Sequence, residues 1–385
     1  MGNGSNLKAL LVADGSGGHL IPALEVAQAL AQTGAEVKLW YAKRPQMAPL
    51  AEALAQGATE VETLAMDTRS NVWGRLWGGG QLWSRAMRCF ETFAPDVVVG
   101  FGGWISAPVV LAACLRRATT PPWRGRQATA RRIHCVIHEQ NVVMGQANRL
   151  LAPWVDRIAL SFEETVPVAN GASTVITGLP VRRAIGRAVR AEAARRFALD
   201  PERPTLLVLG GSQGARAINR LMVEALARLS PEECRCWQMI HLTGPADEAM
   251  VRSAYAQSAL SAWIAPFLRE MELAFAHADA VLSRAGASTL AELSRCGLPA
   301  ILIPYPYAGA HQRANARLLE LDGAAIVLEE AQASPLAVLD AARRLLGDPS
   351  CRAAMGQRMR ERHVADAVQR LTDTILDVAG ASHGR

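Results

Sequence analysis

The residues of this chain best suited to chemistry are two glycine-rich turns, one of them ending in a histidine. The first, Asp14-Gly15-Ser16-Gly17-Gly18-His19, follows the apolar run Leu10-Leu11-Val12; the second, Gly210-Gly211-Ser212-Gln213-Gly214, follows Leu206-Leu207-Val208-Leu209. A strand, a glycine turn and a helix start together make an anion site, because amide N–H groups and the positive end of the helix dipole point at one spot. His19 stands ahead of a helix expected to begin near Pro22, so its ring is expected to project over the ligand. An imidazole there can remove the proton of an attacking hydroxyl near neutral pH; the competing role is a helix-capping or packed histidine.

A third glycine turn, Gly100-Phe101-Gly102-Gly103-Trp104-Ile105-Ser106, ends the run Val97-Val98-Val99, and His138-Glu139-Gln140-Asn141 ends the run Ile133–Ile137. Four polar residues at the end of a buried strand are costly to leave without partners, so they either bond internally or face a ligand. In the second half, the hydroxyl of Ser212 and its neighbouring amides can receive a diphosphate. The segment Ser283-Arg284-Ala285-Gly286-Ala287-Ser288-Thr289-Leu290-Ala291-Glu292 again follows a strand and opens a helix. Its Ser and Thr can cap that helix, and Glu292 can accept from a ribose diol or merely complement the dipole. Gln312 and Asn315 put two amides on one helix face, suited to sugar hydroxyls. No Asp-x-Asp occurs in the chain, so diphosphate charge is expected to be met by helix N-termini and a cation such as Arg182.

A nicotinamide dinucleotide site would need a third glycine and an acid after the second strand. Leu20 occupies the third glycine position, and the second strand runs into Ala42-Lys43-Arg44.

These motifs must be positioned by elements that alternate along the chain. Strand-like runs at Lys8–Ala13, Val37–Tyr41, Val97–Gly100, Ile133–Ile137, Thr174–Thr177, Thr205–Leu209, Met239–Thr243, Ala280–Ser283, Ala300–Ile303 and Ala325–Leu328 are separated by helical patterns. That predicts an α/β fold with doubly wound parallel sheets, whose ligands bind at the strands' carboxyl ends. A length of 385 residues predicts two domains. Thr177-Gly178-Leu179-Pro180 is the expected boundary, ahead of an arginine-rich helix over Val181–Phe197. The domains are expected at 1–178 and 179–362, with a helical tail, Cys351 to Val378, whose segment 363–385 packs back on the first.

Half the residues are apolar and a fifth charged, which is globular, and seven spread cysteines without a metal-type double pair read as reduced cytosolic thiols. No basic-then-apolar leader precedes Leu7. Val97 to Leu115 carries no charge, but its glycines and Pro108 favour a strand, a turn and a helix over a membrane span. The net charge of +6 is mild, and without an aromatic-interleaved basic platform nucleic acid is not an expected partner. Six arginines between Arg116 and Arg132 make either a solvated loop or a face toward an anionic surface.

Taken together, the ordered motifs resemble the MurG family, glycosyltransferase family 28, over nearly the whole chain. They are the Gly15–His19 turn with Pro22-Ala23-Leu24, Gly100–Ser106, His138–Asn141 with Gly145 and Asn148, Gly178-x-Pro180-Val181-Arg182, Gly210–Ala215 with Asn219, Arg284-x-Gly286-Ala287, and Gln312 with Asn315. The resemblance implies a GT-B fold of two Rossmann-like domains. It also implies an inverting transfer, with no cofactor or catalytic metal, of N-acetylglucosamine from UDP-N-acetylglucosamine. The acceptor would be the 4-hydroxyl of undecaprenyl-diphosphate-linked muramyl pentapeptide, a step of peptidoglycan synthesis. Ser212 and Arg182 would meet the donor diphosphate, the backbone near Leu268 the uracil, Ala287, Ser288, Thr289, Leu290, Ala291 and Glu292 the diphosphate and ribose, and Gln312 with Asn315 the sugar. Gly15, Gly17, Gly18, Gly102, Gly103 and Asn141 would meet the acceptor diphosphate, with Ser16, Gly17, Gly18 and Asn141 also reaching the donor and His19 as the base. Leu179 stands where the family usually has Asn, and the 116–132 stretch is longer than the family's usual connection.

A lipid-linked acceptor implies peripheral attachment to the inner leaflet of the cytoplasmic membrane. Trp73, Leu76, Trp77, Leu82 and Trp83, among Arg69, Arg75, Arg85 and Arg88, have an interfacial mixture, although Trp83, Met87 and Phe90 also share one core-like helix face. The alternatives are a UDP-sugar epimerase, a transferase for another lipid acceptor, or a nucleotide-sugar-binding scaffold without catalysis.

Overall fold

The protein is described by a computed structural model covering residues 7–42, 59–64, 72–119, 132–166, 171–211, 214–307 and 311–380. It forms two compact units, one of residues 1–182 and 364–385, the other of residues 183–363.

The first unit is built on seven parallel strands, β1 (Lys8–Ala13), β2 (Glu36–Ala42), β3 (Thr59–Leu64), β4 (Val97–Gly100), β5 (His134–Glu139), β6 (Arg157–Leu160) and β7 (Ser173–Ile176). Their order is β3-β2-β1-β4-β5-β6-β7. Strands buried on both faces read as continuous apolar runs, and β1 shows why: Leu10 and Val12 enter one core, Ala9, Leu11 and Ala13 the other. The second core is closed by the helix Ala367–Gly380, which contributes Leu371, Ile375, Val378 and Ala379.

The second unit has six parallel strands, β8 (Thr205–Leu209), β9 (Gln238–Leu242), β10 (Ser261–Ala265), β11 (Ala280–Ser283), β12 (Ala300–Leu302) and β13 (Ala325–Val327). Their order is β10-β9-β8-β11-β12-β13. In both sheets the strand order reverses between the first strand and the fourth. The crossovers leave toward opposite sides there and open a crevice at the carboxyl ends.

Several local expectations are corrected. Three strands lacked a recognised signal: β3 and β10 are edge strands that pair on one side only and carry polar residues, while β6 is only four residues long. The helix expected over Val181–Phe197 forms only from Arg190, because Gly186 takes φ +77° within a run of turns. The helical tail from Cys351 is two helices, Pro349–Glu361 and Ala367–Gly380, parted by Asp366 at φ +57°. The first helix begins at Gly17 rather than near Pro22, since the Ser16 carbonyl already accepts from the N–H groups of His19 and Leu20.

Among the described residues no helix is long and apolar enough to cross a membrane, and the uncharged stretch from Val97 is β4 followed by the helix Gly103–Thr119. Leu82 and Phe90 are buried in the first core, with Trp83 and Met87 packed against it, so that part of the expected interfacial patch is core. Arg69 and the side chains of Trp73, Arg75, Leu76 and Trp77 lie outside the described residues, as does most of the 116–132 stretch.

Gly178 joins β7 to the C-terminal helix. It takes φ +74°, and a Cβ there would lie 2.5 Å from Val364 Cβ and 3.2 Å from Ala367 Cβ. Gly178→Ala is therefore expected to destabilise the protein by about 2–4 kcal/mol, from backbone strain plus overpacking, as a lowered midpoint of urea unfolding.

Candidate functional site

The crevice of the first sheet is lined by the turns after β1 and β4, and both reach the same side chain. His19 is the third residue of the helix Gly17–Gln32, whose N-cap, Ser16, makes no capping bond with its side chain. Instead Ser16 Oγ lies 2.7 Å from His19 Nδ1. On the other side, a Cβ on Gly102 (φ +84°) would lie 3.1 Å from His19 Cδ2 and 3.2 Å from Nε2, and 3.4 Å from Gln140 Oε1. Only glycine lets the β4 turn come this close to the ring. Gly103 (φ +82°) packs against Asp14 in the same way, its missing Cβ 2.6 Å from that of Asp14, while the Ser16 N–H donates to Asp14 Oδ1 at 3.3 Å. The half-buried imidazole is thus held between two glycine turns.

Of the two roles open to His138-Glu139-Gln140-Asn141, internal bonding describes the first three. Glu139 is 1% exposed, and its carboxylate accepts from Asn141 N (2.9 Å), Asn141 Nδ2 (3.1 Å), Gly145 N (2.9 Å) and Asn148 Nδ2 (2.8 Å). Four N–H donors can satisfy a buried carboxylate without a cation, and they fold residues 141–148 around it. His138 Nε2 donates to the Gly178 carbonyl at 3.1 Å, which leaves Nδ1 to accept from Gln140 Nε2 at 3.4 Å. Gln140 Nε2 also donates to the Phe101 carbonyl at 2.7 Å, tying β5 to the β4 turn. Asn141, half-buried at the loop's start, is the member nearest solvent.

In the second sheet the turns after β8 and β11 take the same places. Gly210 and Gly214 have no room for a side chain: a Cβ would meet Ala215 N and the Thr243 carbonyl, each at 2.2 Å. Ser212 falls outside the described residues. Behind the turn, buried Asn219 donates to the Thr243 carbonyl (2.8 Å) and Asp247 Oδ2 (2.9 Å) and accepts from His241 Nε2 (3.1 Å). His241 Nδ1 lies 3.2 Å from the Tyr255 hydroxyl. No motif signalled His241, Asp247 or Tyr255.

The helix Ala287–Cys296 is capped by Gly286 with no side-chain bond, which corrects the expectation that its Ser or Thr caps it: Ser288 and Thr289 lie inside the first turn. That leaves room for an external anion at the helix start. Leu290 and Leu268 are core side chains, so any ligand contact there is made by backbone. Glu292, one turn in, is 8% exposed. Gln312 stands at the surface end of the helix His311–Leu321, while Asn315 is fully buried and donates to the Ala285 carbonyl at 3.2 Å. That bond ties Asn315, expected from the sequence as a sugar ligand, to the turn that carries Gly286. Arg182 is half-buried on the segment linking the two units. Among the described residues no three His, Cys, Asp or Glu side chains gather as metal ligands.

The buried histidines couple stability to acid. Burial pushes His138 down to about 4, against the opposing pull of the Gly178 bond and the Glu139 charge, and pushes His241 down to about 3. Below pH 6.5 the unfolded chain binds protons that the folded chain refuses, so stability is full above that pH and is lost as pH falls toward 4. Each histidine contributes up to about 1.4 kcal/mol per pH unit in its window. Urea unfolding measured between pH 7 and 4.5 is expected to show this loss, and His138→Gln a shallower one.

Comparison with known proteins matches both units. Residues 9–160 match the glycosyltransferase family 28 N-terminal domain and residues 205–371 its C-terminal domain. The UDP-N-acetylglucosamine--N-acetylmuramyl-(pentapeptide) pyrophosphoryl-undecaprenol N-acetylglucosamine transferase of Syntrophotalea carbinolica is 35% identical, covering 97% of this chain and 99% of that protein. The enzyme of the same name from Nitrosococcus oceani is 36% identical over the same shares of both chains. Among solved structures, Acinetobacter baumannii MurG superposes with a TM-score of 0.70 at 27% identity, over 96% of this chain and 99% of that one. S. aureus MnaA, solved with UDP, reaches a TM-score of 0.68 at 12% identity, over 96% of each chain, a likeness of fold alone. With both domains matched and more than a third of residues shared with full-length relatives, the chain belongs to glycosyltransferase family 28, of GT-B fold.

Proposed function

We propose that this protein transfers N-acetylglucosamine from UDP-N-acetylglucosamine to the 4-hydroxyl of undecaprenyl-diphosphate-linked N-acetylmuramyl pentapeptide, with inversion at the anomeric carbon and without a catalytic metal. The observation that carries the reading is the convergence of Ser16 and Gly102 on His19, within a chain that shares family and length with transferases of that name.

With Nδ1–H directed at Ser16 Oγ, the imidazole takes the hydroxyl proton at Nε2, on the side facing Gly102. As the hydroxyl oxygen bonds to the anomeric carbon, the bond from that carbon to the diphosphate breaks and UDP leaves with the electron pair. The acceptor diphosphate is held by the amides of Gly15, Gly17 and Gly18 and of Gly102 and Gly103, with Asn141 presented by the Glu139 loop. The donor is held by the second unit and the segment that leads into it. Its diphosphate meets Arg182 of that segment, Ser212 and the amides of Ala287, Ser288 and Thr289, its ribose Glu292, its uracil the backbone at Leu268, and its sugar Gln312.

Peripheral attachment to the cytoplasmic face of the membrane belongs to the same reading. It is supported by exposed apolar residues of the first unit, Trp104 (66%), Leu150 (63%) and Trp154 (48%), and by the exposed Arg149.

His19→Ala is expected to lower kcat by about 100-fold or more with the KM for UDP-N-acetylglucosamine little changed. Glu292→Ala is expected to raise that KM with a smaller effect on kcat. Transfer of labelled sugar to the lipid-linked acceptor should persist in excess chelator; strict dependence on added metal would overturn the metal-free mechanism, and an epimerised donor without transfer the reaction itself. Cosedimentation with anionic phospholipid vesicles is expected, weaker at high salt, and absence of vesicle binding would remove the peripheral assignment.

A further inference from the structure

Arg284 stands at the carboxyl end of β11, where a cation beside a helix start would ordinarily be assigned to the diphosphate. Its surroundings give it other work. The side chain is 11% exposed and pairs with Glu330, which follows β13. Its Nη1 donates to the carbonyls of Ile303 at 3.0 Å and Pro304 at 3.4 Å, just beyond β12. The guanidinium also lies against the ring of Tyr305, 5.4 Å from its centroid. One planar cation thus ties together the ends of three neighbouring parallel strands, a geometry that lysine cannot reproduce.

The segment so fixed ends at Tyr305. The Tyr305 N–H donates to Gln312 Oε1 at 3.0 Å. A carboxamide can turn either its oxygen or its NH2 toward a neighbour, but an N–H neighbour admits only the oxygen. The Nε2 group is then the part of Gln312 left for a ligand, and it can only donate.

We infer that Arg284 and Glu330 are positioning residues for the donor sugar. By holding Ile303–Tyr305 they lock the Gln312 amide with its NH2 outward, so that this position reads an acceptor oxygen on the sugar. The inference rests on the proposed role of Gln312 as a sugar contact, and it assigns Arg284 no contact with the diphosphate.

The test separates sugar recognition from nucleotide recognition by measuring, for each variant, the KM for UDP-N-acetylglucosamine and the inhibition constant of UDP, which lacks the sugar. Glu330→Gln keeps the shape of the side chain and removes its charge; Arg284→Lys keeps a charge and loses the plane. Both are expected to raise the KM by about three- to tenfold while the UDP constant stays within about twofold. Gln312→Ala should show the same split, and Glu330→Gln should add little on a Gln312→Ala background, because residues acting through one contact are not additive. If KM and the UDP constant rise together, Arg284 supports the whole nucleotide site and the inference is overturned. It is equally overturned if neither moves in Glu330→Gln while Gln312→Ala shows the split. If Gln312→Ala itself shows none, the sugar contact is wrong and both readings fall. The UDP constant also reports folding, so an unfolded variant is not mistaken for a positive result.

Discussion

Parallel pairing is the constraint on which the rest depends. It obliges every strand to end on the same edge of its sheet, and where the strand order reverses two neighbouring connections diverge and leave helix starts facing outward. In both sheets the reversal falls between the first and fourth strands, and the four glycine-bearing turns follow those strands. The glycines answer a geometric demand: at Gly102, Gly103, Gly210 and Gly214 a single added carbon would collide with the neighbouring turn or with its own. Close approach of one turn to the next brings amides near enough to serve one ligand.

What stiffens these turns is a set of buried polar groups. Glu139 draws four N–H donors around a carboxylate with almost no exposure, and Asn219 spends its whole amide on Thr243, Asp247 and His241. Such groups are costly if any partner is removed and rigid when all are present. They place the binding surface without touching a ligand, and their neutral histidines make the protein sensitive to acid.

The parts legible in the sequence were those encoded by residue type over a short span. Glycine after an apolar run marks a turn because no other residue fits, and a twice-buried strand such as β4 has no polar position to confuse it. Edge strands β3 and β10 escaped because only one side is paired, so their composition resembles a surface loop. The helix expected from Val181 failed on one residue, Gly186, whose left-handed backbone is invisible to apolar periodicity. Side-chain networks were illegible for another reason. Asn219 meets Asp247 across 28 residues and Arg284 meets Ile303 across 19, and no local pattern records such a meeting. The bond from Asn315 to Ala285 was equally invisible, because helical spacing places a residue on a face without saying what that face packs against.

The return of the helix Ala367–Gly380 to the first unit has a consequence for the order of events during synthesis. Leu371, Ile375, Val378 and Ala379 close a core whose other members are complete before residue 183 is made. At ordinary ribosomal rates, roughly 10–40 s separate the two. Throughout that interval one face of the first sheet is covered only in part, by the helix Gly17–Gln32, whereas the second unit, continuous from residue 183 to 363, can finish its own core as it emerges. The unit that begins first is completed last, and the uncovered part of its apolar face needs shielding from other chains until the final helix arrives.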